Sequence, residues 1–311
     1  MLLSVIISCY QSEKHIKSCL QALISQTHSS MEIIVVDAGS SDRTLEIIET
    51  QFPNVTLIKE KRIGVGRALN RGLNIATGDL IAIDFNTDEV AREDWAEELV
   101  RSHLKFGPGL IIGTTRLKPD GKISEQGIRL RFTTFTHKLR YNEQHDPNSL
   151  IGEVDFVGLS SFRQDLLNRN KEVDEKYLFY GADADFNLRA RLNGYKVITN
   201  PKAVTTHEGS AISSRNGLRF TILQTYGGLR LVFLHGSKKR VLITVGYTLF
   251  YLNFVYLCMV GLNLVSRGRI SSSPRLKMQQ ILGRIIGVYK FVRKIPEWLI
   301  DRRSFNTKIL I

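Results

Sequence analysis

Short apolar runs rich in β-branched residues alternate with amphipathic stretches through the first third of the chain. The runs cover residues 2–7, 32–36, 55–59 and 80–83, and the amphipathic stretches cover residues 13–26 and 64–76. Strands of continuous apolar character joined through helices are typical of a parallel sheet that is covered on both faces. The pattern therefore predicts an α/β fold with a mainly parallel central sheet.

Polar and acidic residues follow the predicted strands at the points where those strands end. Tyr10 and Glu13 follow the first strand, Asp37 and Asp42 follow the second, and residues 84–88 bring further carboxylates after the fourth. Parallel strands present their carboxyl ends at one edge of a sheet, and ligands bind in the crevice beyond that edge. We therefore expect these side chains to line one pocket.

A Gly-rich segment, residues 64–67, leads into the second amphipathic stretch and ends at Arg67. Such a segment can cradle a phosphate group. This one lacks the Lys-Ser/Thr ending of a P-loop and the spacing of a dinucleotide fingerprint. A plain turn is the favoured interpretation, and the phosphate cradle is the alternative.

Several segments taken together resemble the family 2 inverting glycosyltransferases, which have the GT-A fold. In the first half these are residues 4–10, 26–27, 32–42, 68–72, 78–79 and 86–88, and in the second half residues 180–189, 194–195, 201 and 207. The order and spacing of the segments over residues 2–215, rather than any one motif, carry the resemblance. It implies a GT-A nucleotide-sugar-binding fold.

The resemblance places residues 86–88, Asn-Thr-Asp, at the position of the family's Asp-x-Asp triplet. A divalent cation, Mn²⁺ or Mg²⁺, is then the expected cofactor, because it stabilises the charge of a leaving diphosphate and prefers oxygen ligands. Asp88 is the expected chief metal ligand, and Asn86 is a neutral second ligand. His207 is a third metal contact or a diphosphate contact; an ordinary surface or core histidine is the alternative.

The triplet departs from the family pattern in two ways. Asn86 replaces its first carboxylate, and the segment is one residue longer than usual, so residues 84–86 offer a rival register. A structural alternative is that Asp84 and Asp88 cap a helix that begins near Arg92.

Asp183 matches the acid that the family uses as general base toward the acceptor hydroxyl. The family block normally reads Glu-Asp, and Ala182 replaces the Glu here. Asp185 cannot lie on the same helix face as Asp183. The alternative is that Asp183 only stabilises the N-terminus of a helix over residues 184–193 through the helix dipole.

The resemblance also implies a nucleotide site at the first two strand ends. Ser8 and Tyr10 follow the first apolar run, and Tyr10 is expected to stack on the base. Glu13 is expected near the ribose or the base, and Asp37 is expected to accept a hydrogen bond from a ring N–H.

Three further residues complete the expected nucleotide site. Asp79 is expected to organise the site without touching the metal. Arg67 or Arg215 is expected to neutralise the diphosphate, and Arg215 is favoured because it lies in a flexible stretch, residues 209–217. Basic residues in loops are otherwise simply solvated.

The positive charge is concentrated at the end of the chain. The 311 residues carry a formal net charge of +13, and residues 266–311 contribute +9 of it, with eleven Lys and Arg against Glu297 and Asp301. The remaining chain carries only +4, so we expect no nucleic-acid partner. Three scattered cysteines indicate neither a disulfide framework nor a zinc site.

Residues 241–265 contain no charge and are long enough for a helix across a ~30 Å hydrocarbon core. Basic residues flank both sides, however, and a single crossing would export the basic tail, against the positive-inside tendency. An in-plane or re-entrant hairpin resolves this conflict. After Pro274 the spacing predicts an amphipathic helix of the interfacial kind. Its predicted apolar side comprises Leu276, Ile281, Leu282, Ile285, Ile286, Tyr289, Val292 and Ile295, and its basic side comprises Arg284, Lys290, Arg293 and Lys294.

We therefore expect a membrane-associated helical appendage; a helical layer packed on the enzyme or on a second subunit is the alternative. The first residues lack the basic region of a signal peptide, so the catalytic part is expected on the cytoplasmic side of the cell membrane. The expected organisation is a nucleotide-sugar-binding half, residues 1–105, an acceptor-side half, residues 106–215, and the appendage, residues 216–311.

The expected function is inverting transfer of one sugar from a nucleotide-sugar donor to a hydroxyl of a lipid-linked or cell-surface glycan acceptor. Two alternatives stay open. One is transfer to a polyprenyl phosphate. The other is a non-catalytic family member that acts as an assembly partner, which the replacements at Asn86 and Ala182 would accommodate. Residues 107–153 are expected to form the acceptor rim, where loops carry specificity.

Overall fold

The computed structural model describes residues 1–61, 63–130, 137–149, 152–177, 180–208, 218–251, 253–254, 257 and 274–304. The chain divides into two units. The first, here called the α/β unit, comprises Met1–Arg129, His137–Leu178 and Ala182–Ser210. The second, the helical unit, comprises Leu130–Thr136, Phe179–Gly181 and Ala211–Ile311. The division at residue 105 into donor and acceptor halves stays a prediction.

The α/β unit is built on one large sheet. Its strands are β1 (Leu3–Cys9), β2 (Met31–Asp37), β3 (Thr56–Lys59), β4 (Leu80–Phe85), β5 (Glu89–Ala91), β6 (Leu110–Leu117), β7 (Ile123–Glu125), β8 (Ile128–Arg129), β9 (His137–Lys138), β10 (Ser160–Arg163) and β11 (Lys196–His207). Nine of them pair in the order β3-β2-β1-β4-β10-β6-β11-β5, with β7 beside β6. β8 and β9 form a separate ribbon.

The described residues of this unit form six helices: α1 (Ile16–Ile24), α2 (Thr44–Gln51), α3 (Val65–Leu73), α4 (Trp95–Phe106), α5 (Leu166–Asn170) and α6 (Ala182–Leu192). Leu3, Val5 and Ile7 of β1 pack with residues of α1, α2 and α4, whereas Ile6 packs with residues of α3 and α6. Alternate side chains of a strand point to opposite faces, so a strand covered on both faces requires an uninterrupted apolar run. The predicted α/β fold is confirmed.

Six strands, β1, β2, β3, β4, β6 and β11, run in one direction. β10 lies antiparallel between β4 and β6, and β5 lies antiparallel to the end of β11. The carboxyl ends of the six parallel strands therefore meet at one edge of the sheet, here called the carboxyl edge. The mainly parallel sheet that the sequence predicts is thus present.

β11 is a long strand of 12 residues, whose register with β6 shifts between Asn200 and Val204. Pro201 lies at this irregularity, where its missing N–H interrupts no regular ladder. The extended strand delivers His207 to the carboxyl edge.

The helical unit contains α7 (Leu218–His235), α8 (Lys238–Gly246), a π-helical turn (Tyr247–Tyr251) and α9 (Pro274–Ser304). Its core joins Leu229 and Phe233 of α7 to Val288, Phe291 and Trp298 of α9. α7 and α9 approach closely at two small residues of α9. A Cβ built on Gly283 or on Gly287 would lie 2.7 Å from the Cβ of Thr221 or of Thr225, respectively.

The long uncharged segment at residues 241–265 lies partly outside the described residues, which include it only up to 251 and at 253–254 and 257. Among the helices that the structure describes, none combines the length and the hydrophobicity of a membrane span. One residue of the predicted basic face of α9 is misplaced: Arg284 is buried, whereas Lys290, Arg293 and Lys294 are exposed. The error arises because α9 buries the side that carries Gly283 and Gly287 against α7.

Gly72 allows α3 to approach β1, because a Cβ built there would lie 2.4 Å from Cγ2 of the fully buried Ile6. Gly72→Ala is therefore expected to lower the free energy of unfolding, measured by urea titration, by about 1–3 kcal/mol, the usual cost of overpacking. Gly152→Ala serves as the control, since a Cβ at Gly152 meets no atom within 4 Å. Equal stability of the two variants would contradict the predicted close contact.

Candidate functional site

The first two strands end side by side at the carboxyl edge. The last residues of β1 and β2, Cys9 and Asp37, are paired, and Ala38 N–H donates to the Cys9 carbonyl at 2.9 Å. Tyr10 follows β1 with 46% of its surface exposed, and Ser8 is half-buried within the strand. Tyr10 therefore directly follows the end of β1, which is paired with the end of β2.

The Asp37 carboxylate is held by the loop that follows it. Its Oδ1 accepts hydrogen bonds from the backbone N–H groups of Gly39 and Ser40, both at 2.9 Å, while its side chain is almost fully buried. Gly39 has φ of 92°, a left-handed conformation that glycine adopts without strain. Asp37 Oδ2 lies 3.4 Å from Cys9 Sγ, and burial together with the Asp37 charge raises the pKa of that thiol. A fixed hydrogen-bond acceptor therefore lies beside Cys9, the residue that precedes Tyr10.

Glu13 and Asp42 tie the two loops together. Asp42 Oδ2 accepts from Glu13 N–H at 3.2 Å, and Glu13 Oε2 accepts from Arg43 N–H at 3.2 Å. Burial raises the pKa of Asp42, but hydrogen bonds from Thr44 and from the Glu13 backbone outweigh it and hold that pKa below its usual value. The Glu13 carboxylate thus hydrogen-bonds the loop that follows β2, a contact that the sequence did not indicate.

Asp88 and His207 meet at the carboxyl edge. Asp88 lies in the loop between β4 and β5, and its Oδ2 is 3.2 Å from His207 Nε2. Their approach follows from the antiparallel pairing of Glu89 with His207 and from the Glu208 N–H, which donates to the Asp88 carbonyl at 3.0 Å. Burial raises the pKa of Asp88, but the interaction with the adjacent His207 imidazole lowers that pKa by more, so the net shift is downward.

The helix-capping alternative for Asp88 is excluded by the elements around it. Asp88 precedes a strand, β5, and α4 begins only at Trp95, behind Asp94. Asn86 donates its amide to Glu89 Oε1 at 3.0 Å, which leaves the carbonyl oxygen as its one side-chain ligand atom for a cation. The side chain of Asp84, on which the rival register depends, lies outside the described residues.

A second acidic–imidazole pair lies next to the first. His15 Nδ1 is 3.4 Å from Glu208 Oε2, and Glu208 directly follows His207. Neither residue is among the site residues that the sequence predicts, although the adjacency of Glu208 to His207 is a usable signal. Within the described part of the chain, no group of three or more His, Cys, Asp or Glu side chains forms a complete metal site. The protein therefore offers a partial ligand set centred on Asp88 and His207.

The fit of a divalent cation to this partial set is chemically consistent. Asp88 supplies a buried, ionised carboxylate and His207 an imidazole nitrogen. Mg²⁺, and Mn²⁺ with its similar oxygen preference, are commonly bound through one or two carboxylates together with substrate phosphates. Asp88 and His207 would hold such an ion, and a diphosphate would complete its coordination.

Asp183 lies in the first turn of α6, where the helix dipole favours a negative charge. Burial raises the pKa of Asp183 to about 6. The Ala184 N–H and the Arg116 guanidinium lower it, whereas the Glu125 carboxylate raises it. A carboxyl group with this pKa is mostly ionised at neutral pH and is more basic than an ordinary aspartate.

A buried ion network, unmarked by the sequence, lies between these groups. Arg116 Nη2 is 2.7 Å from Glu89 Oε1, and Arg116 Nη1 is 3.5 Å from Glu125 Oε1. Lys138 Nζ is 3.5 Å from Glu125 Oε2. The only signal for it in the sequence is a charge, Arg116, within the apolar run of β6.

One expected nucleotide-site residue lies elsewhere. Asp79 immediately precedes β4, at the opposite edge of the sheet, where its carboxylate accepts from Leu2 N–H at 3.0 Å. β4 has six residues and is about 20 Å long at ~3.3 Å per residue. Asp79 therefore does not organise the carboxyl edge, and its expected role is wrong.

Of the two arginines expected at the diphosphate, one lies within the described residues. Arg67 is exposed in the first turn of α3, and Arg215 lies outside the described residues. Packing accounts for Gly66 in the Gly-rich segment, since a Cβ there would lie 2.8 Å from the Asp174 carbonyl oxygen. This contact supports the turn interpretation of that segment.

Curated relatives of this chain are glycosyltransferases. It is 37% identical over 91 residues to the uncharacterized glycosyltransferase YibD of Escherichia coli (strain K12), a match over 28% of this chain and 26% of that protein. It is 28% identical over 201 residues to glycosyltransferase AglE of Haloferax volcanii, over 62% of each chain. The match to the glycosyltransferase GlyG of Streptococcus pneumoniae likewise spans only 38% of that protein.

A longer match is to a Methanococcus voltae protein, with 22% identity over 269 residues, 79% of this chain and 75% of that protein. Its name is dolichyl N-acetyl-alpha-D-glucosaminyl phosphate 3-beta-D-2,3-diacetamido-2,3-dideoxy-beta-D-glucuronosyltransferase. That protein is thus named for a sugar transfer to a dolichyl-phosphate-linked sugar.

Solved structures share the fold at low sequence identity. The mannosyltransferase PcManGT of Pyrobaculum calidifontis, in complex with GDP-Man and Mn²⁺, superposes with a TM-score of 0.56 at 16% identity, over 93% of this chain and 86% of that one. S. aureus TarS in complex with UDP-GlcNAc superposes with a TM-score of 0.55 at 18% identity, over 96% of this chain and 79% of that one. These are GT-A type glycosyltransferases, and the likeness concerns the fold.

The sequence profile described as "Glycosyl transferase family 2" matches residues 4–167, more than half of the chain. The match includes the ends of β1, β2 and β4, with Tyr10, Asp37 and Asp88. Together with the mainly parallel sheet and its structural neighbours, this match shows that the chain belongs to glycosyl transferase family 2.

Proposed function

We propose that this chain transfers one sugar from a nucleotide-sugar donor to a hydroxyl of a lipid-linked or cell-surface glycan, with inversion at the anomeric carbon. The observation that carries the proposal is the arrangement at the carboxyl edge. It combines three features. Asp37 is a fixed hydrogen-bond acceptor, and Asp88 and His207 form a buried pair of a carboxylate and an imidazole. Asp183 is a carboxyl group of raised pKa.

Asp37 and Tyr10 are proposed to bind the nucleoside. The Gly39 and Ser40 amides engage Oδ1 of Asp37 and so set the direction of its carboxylate toward a ring N–H. Tyr10 offers an exposed aromatic face for stacking. The neighbours that hold GDP-Man and UDP-GlcNAc support a nucleotide-sugar donor.

Asp88, His207 and the carbonyl oxygen of Asn86 are proposed to hold the divalent cation. When bound, that ion supplies electrostatic stabilisation of the charge on the leaving diphosphate. The chain's own contribution is to keep a carboxylate ionised at the carboxyl edge, and the lowered pKa of Asp88 does so. The neighbour that contains Mn²⁺ supports the use of a divalent cation.

Asp183 is proposed to act as general base. As the acceptor oxygen attacks the anomeric carbon, its proton passes to the Asp183 carboxylate, the new C–O bond forms, and the bond to the diphosphate breaks with its electron pair leaving on that oxygen. Attack from the face opposite the leaving group inverts the anomeric centre. The name of the Methanococcus voltae relative supports a lipid-linked acceptor.

Membrane association is proposed for the helical unit. One face of α9 presents apolar side chains between 45% and 58% exposed, namely Met278, Leu282, Ile285, Tyr289, Val292 and Leu299. We call this set the α9 stripe. Arg293 borders it, with its guanidinium 5.7 Å from the Tyr289 ring centroid, and Lys290 lies next to Arg293 around the helix. An apolar face bordered by cations suits an anionic lipid surface, on the cytoplasmic side of the cell membrane.

Asp88→Ala is expected to abolish turnover and to remove the gain in nucleotide affinity that Mn²⁺ gives. Calorimetric titration with UDP and with GDP, each with and without Mn²⁺, measures this gain. Asp79→Asn is the control, because Asp79 lies at the opposite edge. If Asp88→Ala retained a metal-dependent gain equal to that of the wild type, the assigned metal site would be wrong.

Asp183→Asn is expected to lower kcat by ~10² to 10⁴, the usual worth of general-base catalysis, with little change in nucleotide affinity. Because the base acts only as a carboxylate, wild-type kcat should fall as the pH decreases through about 6. A variant within a few-fold of wild type would reject this base. It would favour transfer to a polyprenyl phosphate, whose oxygen is already ionised.

The α9 stripe predicts vesicle binding. Ile285→Glu with Val292→Glu should reduce sedimentation of the full chain with phosphatidylglycerol-containing vesicles at least tenfold, since burying each side chain is worth about 1.5–3 kcal/mol. Leu104→Glu, at an exposed position of α4, is the matched control. Neutralising Lys290 and Arg293 should weaken binding mainly at low salt. If the variant that combines Ile285→Glu with Val292→Glu bound like wild type, the stripe would not be the membrane face.

A further inference from the structure

The two halves of the proposed site are joined by a continuous buried polar path. On the donor side, Asn86 Nδ2 and the Arg116 guanidinium share Glu89 Oε1, and Thr205 Oγ1 donates to Glu89 Oε2 at 2.8 Å. Glu89 is fully buried and directly follows Asp88. The loop that carries Asp88 is therefore anchored on Arg116.

On the acceptor side, Arg116 meets Glu125, whose Oε1 also accepts from Gly158 N–H at 3.1 Å. Val157, which precedes Gly158, contacts α6. The Asn187 amide donates to the Val157 carbonyl at 3.4 Å and to the Asp183 carbonyl at 2.8 Å. Apart from the peptide unit that joins Val157 to Gly158, each link is a hydrogen bond or an ion pair between buried or partly buried groups. The path thus ends in the first helical turn that carries Asp183.

Gly158 shows how closely the path is packed. A Cβ at this position would lie 2.2 Å from Arg116 Nη1 and 3.0 Å from Glu125 Oε1. The backbone therefore approaches the ion pair as only glycine permits. A side chain there would displace the guanidinium from between its two carboxylates.

We propose that Glu125 is a positioning residue for the transfer reaction, which fixes Asp183 relative to the Asp88 loop through Arg116 and the Gly158 amide. This inference rests on the proposed function of Asp183. Glu125 acts through other groups and touches neither the donor nor the acceptor.

The charges around Asp183 give the proposal a distinctive consequence. Glu125 on β7 raises the pKa of Asp183, and Arg116 on β6 lowers it. On α6 itself, Asp185 is paired with Arg189 at 2.8 Å. Removing the Glu125 charge should therefore lower the pKa of Asp183 and weaken it as a base.

Glu125→Gln tests this directly in the full chain. The acid limb of the kcat–pH profile should move to lower pH by roughly half a unit to one unit, a shift within the usual spread of carboxyl pKa values. The plateau kcat should fall at least tenfold, while the affinity for UDP or GDP with Mn²⁺ changes less than twofold. Glu97→Gln, which alters a surface ion pair with Arg101 on α4, is the control.

Lys138→Gln provides a second variant that leaves the buried pair intact. Lys138 is 44% exposed and contacts the outer oxygen of Glu125, so the variant is expected to fold. Loss of this positive charge should move the acid limb to higher pH, opposite in sign to the Glu125→Gln shift. If the wild type shows an acid limb near 6 and neither variant moves it, the role of Glu125 is overturned. An active Asp183→Asn variant would instead overturn the proposed base.

Discussion

The pairing of β5 with the last residues of β11 is the contact on which the candidate site depends. Three residues of each strand pair, and the register sets Glu89 opposite His207. This register leaves Asp88 beside the imidazole at 3.2 Å. The side chain of Glu89 is buried with the Arg116 guanidinium, and removal of one partner of a buried ion pair leaves an uncompensated charge. A shift of β5 would therefore break the ion pair between Glu89 and Arg116, and the same shift would separate Asp88 from His207.

Arg116 links the pairing of β5 with β11 to the surroundings of Asp183. The same guanidinium lies against Glu89 and Glu125, so the conformation of the Asp88 loop and the electrostatic environment of Asp183 are coupled. The raised pKa of Asp183 means that its ionised form is less stable in this fold than it would be in water. The Ala184 N–H and the Arg116 charge partly offset that destabilisation. The fold thereby keeps a carboxylate that is ionised at neutral pH, although its pKa lies above that of an exposed aspartate.

In the helical unit, the two sides of α9 have different surroundings, because one side packs on α7 and the other is exposed. The small residues Gly283 and Gly287 let α9 approach Thr221 and Thr225 of α7 closely, and Trp298 completes the buried side with the Arg230 guanidinium 4.8 Å from its ring centroid. The opposite side retains the exposed α9 stripe. Burial against α7 therefore leaves an apolar surface that a lipid surface is proposed to cover.

The sequence alone determined the elements and the edge at which they meet. Apolar runs and amphipathic periods are local properties, so β1, β2, β4 and α3 follow from them within a few residues, and Asp37 and Asp88 follow as strand-end residues. Tertiary structure decided which polar groups contact each other. Glu13 hydrogen-bonds the loop that follows β2, and Asp79 lies at the opposite edge of the sheet. Glu125 interacts with Asp183 only because the sheet brings β7 close to α6. These contacts join residues distant in the chain, and no local period encodes the register of strands that brings them together.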